Sequence, residues 1–287
     1  MGSMRRRLAG AGLAAFVLVV LAWMAAVGWL WTNEPRLVFR TTFSQRAAGT
    51  LAPGLQPLAI RTADGLSLDA ARLEYASTDA RFWLIYFQGN AGSLRRGRVQ
   101  RQLQQLHALG YNVLSLDYRG YGRSEGTPSE QGLYEDGLAA HAYLLARGVP
   151  SSRIILAGQS LGSAVAVEVA IRRPSAGLVL FSPLDSVPRA AERIYPWAPV
   201  EFLARNRFDS VAKMRRVQVP LLVFHSERDR LIPLPAARAL VALAAGSTRM
   251  VETGGGHNGA GFAEPEALRE ALWRFWPPPP GTLERLE

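Results

Sequence analysis

The chain has 287 residues, 48% of them apolar and 20% charged, with no cysteine and a formal net charge of +10. That balance excludes a disordered polymer, and the missing cysteines exclude both a disulfide framework and a thiolate-ligated metal. The positive charge is almost wholly arginine, Lys213 being the single lysine. It suits an anionic membrane surface or acidic ligands, or follows from codon usage. No zinc-finger pattern, aromatic RNA-binding motif or basic helix gives nucleic acid a role as partner.

Met1 to Ser3 read as an expression-vector remnant ahead of a native start at Met4. Residues 1–7 form a cytoplasmic N-terminus. After Arg5, Arg6 and Arg7, the run from Leu8 to Trp31 carries no charge, enough to cross a hydrocarbon core at about 1.5 Å per residue. Trp23, Trp29 and Trp31 lie towards its far end, where an aromatic belt is expected, and the arginines hold the N-terminus in the cytoplasm. The rest of the chain is then expected outside the cytoplasm, in the periplasm of a bacterium. A cleaved signal peptide has a shorter apolar region and small residues at its cleavage site. The length and bulky end of this run favour an uncleaved anchor over residues 8–31.

Residues 32–57 read as a connector without long periodicity, and 58–276 as the soluble domain. "PLAIRTADGLSLDAARLEY" predicts two strands around the Asp64-Gly65 turn, and "RFWLIYFQGN" a buried strand ending in a glycine turn. Helical spacing follows from Leu94 to Leu109, then the strand "YNVLSLDYRG" and a helix from Gln131 to Arg147. "RIILAG" and "GLVLFSP" are strands flanking the helix "SLGSAVAVEVAIRR". Residues 185–214 hold short helical pieces broken by prolines. "PLLVFHS" is a strand, Leu234 to Ala245 a helix, "TRMVETGG" a strand and Glu264 to Trp276 a last helix, before a proline-rich tail over 277–287. Apolar strands alternating with amphipathic helices predict an α/β domain: a mostly parallel sheet covered on both faces, with the opening hairpin as an antiparallel edge.

In "AGQSLGSA", Ser160 sits between Gly158 and Gly162, where a strand must turn sharply into a helix. Glycines remove the clash at such an elbow, which lifts the serine hydroxyl above the sheet near a helix N-terminus. The bland alternative is a helix-capping serine. A serine nucleophile needs a base, ordinarily a histidine oriented by a carboxylate, in the chain order serine, acid, histidine. Of the four histidines only His225 and His257 follow Ser160. His225 lies at a strand end and reads as structural. His257, in the glycine-rich loop "ETGGGHNGAG", is the expected base. The acid belongs to "ERDRLIP", where Asp229 is preferred to Glu227 because it lies deeper in the loop. The oxyanion hole needs two amides. One is that of Leu161, and the other comes from "FQGNAGS", with Asn90 preferred and Ala91 next. Asp117, Tyr118 and Arg119 either line the site or brace a strand end through a buried ion pair, the second being preferred. "YPWAPVEFL", Tyr195 to Leu203, is either a lid that lines an acyl pocket or touches the bilayer, or a packed helix pair.

With these motifs in place the chain resembles the α/β-hydrolase fold, and in particular the abhydrolase-domain serine hydrolases with one N-terminal membrane anchor, the acyl-protein thioesterase and lysophospholipase-like branch. The likeness runs from about residue 58 to 276 and includes "QGNAGS", "LDYRGYGRSEGTPSEQGLYEDG", "GQSLGSAVA", "YPWAPVEFLARNRFDS", "HSERDRLIP" and "GGGHN". It implies Ser160, Asp229 and His257 as a triad, a short lid near 185–214, and hydrolysis of carboxylic esters or thioesters, often of lipids or acylated proteins, without metal or organic cofactor. The chain departs from the family where Gln88 replaces a common histidine, Ser226 a glycine and Gly259 an acidic residue. The alternatives are acyl transfer or perhydrolysis on the same triad, a non-catalytic membrane-tethered binding module and, more weakly, a soluble peptidase.

Overall fold

The computed structural model of the chain describes residues 2–46, 49–76 and 81–279. Met1 of the expected vector remnant and residues 280–287 of the tail lie outside the described residues. Helices are α1 (Gly2–Val38), α2 (Thr41–Gln45), α3 (Gly97–Ala108), α4 (Glu130–Ala146), α5 (Leu161–Arg172), α6 (Val187–Ile194), α7 (Val200–Leu203), α8 (Ser210–Met214), α9 (Leu234–Val241), α10 (Gly256–Gly259) and α11 (Pro265–Phe275). Strands are β1 (Gln56–Arg61), β2 (Ser67–Leu73), β3 (Trp83–Phe87), β4 (Asn112–Leu116), β5 (Ile154–Gln159), β6 (Gly177–Phe181), β7 (Leu221–Ser226) and β8 (Thr248–Thr253).

The strands form one eight-stranded sheet in the order β1-β2-β4-β3-β5-β6-β7-β8. The β1-β2 and β2-β4 pairs are antiparallel, and every other pair is parallel. The near-continuous apolar runs are explained by burial on both sides: β3, β4, β5, β6 and β7 are buried at every position, as parallel strands under two helical layers must be. The pleat sends alternate side chains to opposite layers. Ile85, Phe87, Leu114, Leu156, Leu180 and Val223 pack with residues of α4, α5, α8 and α9. Leu84, Tyr86, Val113, Ile155, Val179 and Leu222 pack with α3 and α11.

Helix boundaries differ from expectation where polar chemistry intervenes. α3 begins at Gly97, three residues later than the Leu94 spacing suggests, and ahead of it the Leu94 amide donates to the Asp117 carboxylate at 2.8 Å. The larger difference is at the N-terminus. The apolar helix does not stop near Trp31 but continues through Pro35 to Val38, and α2 follows. Pro35 lacks the N–H that would bond the Trp31 carbonyl. Arg205 Nη2 donates to that carbonyl instead, at 2.9 Å. The segment read as a connector is therefore fastened to the domain. Phe39 and Ser44 are buried, Ser44 Oγ accepts from the Gly122 amide, and Gln45 donates to the Gly120 carbonyl.

Arg119 closes an ion-pair cluster at the end of β4, but Asp117 is not its partner. Arg119 Nη2 lies 2.8 Å from Asp136, whose side chain is fully buried, and Nη1 lies 2.9 Å from Asp64, whose side chain is 51% exposed. Asp136 also accepts from the Arg119 amide at 2.8 Å. Removing the buried partner leaves the Arg119 amide and Nε without their acceptors and the guanidinium with only the exposed Asp64, whereas removing the exposed partner leaves the buried pair intact. Asp136→Ala is expected to lower the unfolding free energy by about 3–5 kcal/mol, and Asp64→Ala by no more than about 1 kcal/mol. Chemical denaturation of both variants checks the contrast.

Candidate active site

The elbow at Ser160 is a backbone device. Ser160 adopts φ 52 and ψ −119, a conformation that is strained for a residue with a Cβ. Its neighbours allow nothing larger than glycine: a Cβ on Gly158 would lie 2.2 Å from the Gly162 carbonyl oxygen, and one on Gly162 would lie 2.1 Å from that of Phe87. Both ends of the strained residue are held. The Ser160 amide donates to the Phe181 carbonyl at 3.0 Å. Its carbonyl accepts from the Ser163 amide at 2.9 Å and from Ser163 Oγ at 2.5 Å. Ser163 Oγ also accepts from the Leu184 amide, tying the elbow to the start of the lid region. Sequence reasoning missed Ser163, although its place three residues after Ser160 is where a side chain can reach back over the first helical turn.

The structure brings Ser160, His257 and Asp229 together. His257 Nε2 lies 2.8 Å from Ser160 Oγ, and its Nδ1 lies 2.7 Å from Asp229 Oδ2. His257 is not in an open loop. The left-handed backbone of Gly255, φ 86, starts the one-turn helix α10, which carries the imidazole. The loop after β7 supplies Asp229, whose Oδ1 accepts from the Leu231 and Ile232 amides at 2.9 Å each. Burial alone would raise this carboxyl's pKa, but the hydrogen bonds from His257 and the two amides outweigh it and hold the pKa below its ordinary value. Asp229 therefore stays ionised, and a carboxylate facing Nδ1 keeps the proton on that nitrogen, leaving Nε2 free to accept from the serine hydroxyl.

Residues around the three fix their placement. Ser226 Oγ accepts from the Gly256 amide at 3.0 Å and the Arg228 amide at 3.1 Å. It thus joins the loop of Asp229 to the loop of His257, a role for the serine that replaces a common glycine. Gln159 Nε2 donates to the Asn258 carbonyl at 3.0 Å, next to His257. His225 lies on the far side of Asp229, its Nε2 3.8 Å from Oδ2 but donating to the Ile232 carbonyl at 2.9 Å, and burial lowers its pKa. It is a buried neutral brace. Glu227 is exposed.

Opposite the elbow, Gly89 packs with its Cα face 3.5 Å from Ser160 Cβ, measured from where a Cβ would stand. A turn closed by the Gly92 amide on the Gly89 carbonyl carries Asn90 and Ala91. Among the described residues the Leu161, Asn90 and Ala91 amides donate to no protein acceptor. The Asn90 side chain donates to the Val38 carbonyl at 3.3 Å, so the end of α1 reaches this loop.

Asp117 braces the same loop from beneath. Its carboxylate accepts from Gln88 Nε2 at 2.6 Å, from Ser93 Oγ at 3.0 Å and from the Leu94 amide at 2.8 Å. Burial pushes its pKa up to about 6 against these three donors. A cavity of about 720 Å³ in the lid region is lined by Arg189, Arg193 and Arg207 with Glu192, Glu201 and Asp209, and by none of Ser160, Asp229 or His257. Its charged walls do not suit an acyl chain.

A sequence model described as serine aminopeptidase, S33, matches residues 92–211. An uncharacterized protein of Mycobacterium tuberculosis is 34% identical over 266 residues, covering 92% of this chain and 94% of that protein. The lysophosphatidylserine lipase ABHD12 of Danio rerio is 34% identical over 184 residues, 57% of this chain and 47% of that protein, so the match spans about half of the lipase. Among solved structures, the Pyrococcus furiosus esterase Pf2001 superposes with a TM-score of 0.65 at 20% identity, covering 79% of this chain and 93% of the esterase.

The raised pKa of Asp117 gives a pH signature. The folded chain holds this proton to about pH 6, whereas the unfolded chain releases it near 3.8. Its contribution to stability therefore falls as pH rises through that window. Asp117→Asn keeps an acceptor for Leu94 and Gln88 and removes the titration. The slope of unfolding free energy against pH between about 4 and 6 is expected to become less negative than in the wild type. Denaturant titrations across that range check it.

Proposed function

The chain belongs to the α/β-hydrolase family, and from that premise we propose that it is a membrane-anchored serine hydrolase of carboxylic esters or thioesters, with Ser160, His257 and Asp229 as its triad. The observation that carries the proposal is the unbroken line from Ser160 Oγ through His257 to Asp229, at 2.8 and 2.7 Å. His257 Nε2 takes the hydroxyl proton as Ser160 Oγ attacks the acyl carbonyl, and Asp229 stabilises the imidazolium. The amides of Leu161 and Asn90 hold the oxyanion. Collapse of the tetrahedral intermediate breaks the bond to the leaving oxygen or sulfur, which receives the proton from His257. Water, deprotonated by the same imidazole, then releases the acid from the acyl-enzyme.

Support for lipid or acyl substrates comes from the relative named as a lysophosphatidylserine lipase and the structural neighbour named as an esterase. Support for the anchor comes from α1: the helix is long and apolar enough to cross a membrane, and only 6% of its most apolar window is buried in the protein. Arg5, Arg6 and Arg7 ahead of the run support a catalytic domain on the side away from the cytoplasm.

A fluorophosphonate probe is expected to label the wild type and to leave Ser160→Ala unlabelled. With an ester panel of graded acyl length, Ser160→Ala and His257→Ala are each expected to lower kcat by at least about 10³-fold. Equal labelling of Ser160→Ala overturns the assignment of the nucleophile. Products captured by added alcohols in preference to water assign the chain to acyl transfer instead.

A further inference from the structure

The lid region lies lengthwise against α1, and the contacts are specific. Trp23 Nε1 donates to the Trp197 carbonyl at 3.1 Å. Leu30 is buried with Ala198 and Val200. Arg205 Nη2 donates to the Trp31 carbonyl left free by Pro35, with its guanidinium 5.2 Å from the Trp31 ring centroid. Glu34, buried, accepts from the Asn206 amide at 2.9 Å and from its side chain at 3.0 Å. From Trp23 to Glu34 the helix rises about 16 Å at about 1.5 Å per residue. The segment from Trp197 to Asn206 therefore covers that length of α1.

These contacts set the height of the lid. A hydrocarbon core takes about twenty helical residues, so a span that starts at Leu8 ends near Val27. Trp23 then lies about 6 Å inside the outer hydrocarbon boundary, and Trp197, bonded to it, is at the same level. The large apolar side chains around Trp197 are not covered by protein: Phe202 is 89% exposed, Ile194 54% and Trp197 48%. Trp23, Met24, Trp29 and Trp31 on the adjoining length of α1 are exposed as well. Large apolar side chains left exposed on a segment bonded to the apolar helix match a membrane contact.

We infer that Ile194, Trp197 and Phe202 form a membrane-seated surface, with the lid end of the domain inserted among the lipids of the leaflet on the domain's side, alongside α1. The occupant of this surface is a phospholipid bilayer. A second protein is disfavoured, because a partner on the Trp197 face would have to lie at the depth of Trp23. The inference rests on the reading of α1 as a membrane anchor.

The chain contains no cysteine, so single-cysteine reporters are unambiguous. Phe202→Cys and Ile194→Cys, each labelled with an environment-sensitive fluorophore, are compared with Ser152→Cys, an exposed site just ahead of β5 at the opposite end of the sheet from Ser160. The full chain is reconstituted into phosphatidylcholine vesicles containing nitroxide-labelled lipid and separated by flotation. The fluorophores at 202 and 194 are expected to be quenched several-fold more strongly by lipid nitroxide than the fluorophore at 152, and to be shielded from a water-soluble quencher. A chain that floats with the vesicles but whose 202 and 194 fluorophores behave like that at 152 overturns the inference and leaves the anchor standing. A chain that does not float overturns the anchor, and the inference with it.

Discussion

Everything at the active site depends on one strained residue held from both sides. Ser160, with φ 52, adopts a conformation that costs on the order of 1–3 kcal/mol. It persists because its amide is committed to β6, its carbonyl to Ser163, and its flanking glycines to backbone contact. The contact between Gly162 and the Phe87 carbonyl also fixes the distance from the elbow to the loop after β3. The same constraint that strains Ser160 thus sets the spacing of the two amides proposed for the oxyanion. Five fully buried strands supply the rigidity. A looser sheet would let the elbow relax.

Three buried carboxylates show how environment assigns work to one chemical group. Asp229, Asp117 and Asp136 are all buried. Asp229 has two amides on one oxygen and His257 on the other, and these donors keep its pKa low despite burial. Asp117 also has three donors, but it is sealed from solvent completely, and burial prevails. Asp136 faces a guanidinium, yet burial still raises its pKa to about 6. Asp229 alone has a partner that can gain a proton during a reaction. Asp117 and Asp136 hold backbone in place: the loop after β3 in one case and the end of β4 in the other.

The sheet, its antiparallel edge and the meeting of Ser160, Asp229 and His257 were legible in the sequence. Each depends on local pattern: apolar runs of strand length, a turn dipeptide, and functional residues placed just after strands in a fixed order. What was not legible depends on partners far along the chain. Residues 32–57 read as a connector, and Arg205, which caps the Trp31 carbonyl that Pro35 leaves free, lies far along the chain. Leu94 reads as the start of α3, whereas the helix begins at Gly97 and the Leu94 amide bonds to Asp117 on the neighbouring strand end. Arg119 sits beside Asp117 in sequence but pairs with Asp136 across a helix. The glycines around His257 read as flexibility, whereas the left-handed Gly255 and the Ser226 hydroxyl build a short rigid helix there.

The continuation of α1 changes what the proposed anchor would do in this chain. A flexible tether leaves a domain free to tumble above a surface. Here Val38 and Phe39 belong to the same buried cluster as Phe87, Tyr118 and Leu161, and the Val38 carbonyl accepts from the side chain of Asn90 in the loop facing Ser160. Between Trp31 and Val38 the helix rises about 10 Å, over which Glu34 and Arg205 add polar bonds between helix and lid. These bonds resist rotation of the domain about the helix axis as well as tilting. The apolar helix, the 185–214 segment and the loop opposite Ser160 are therefore packed together, and the height and facing of Ser160 relative to the apolar helix follow from the fold itself.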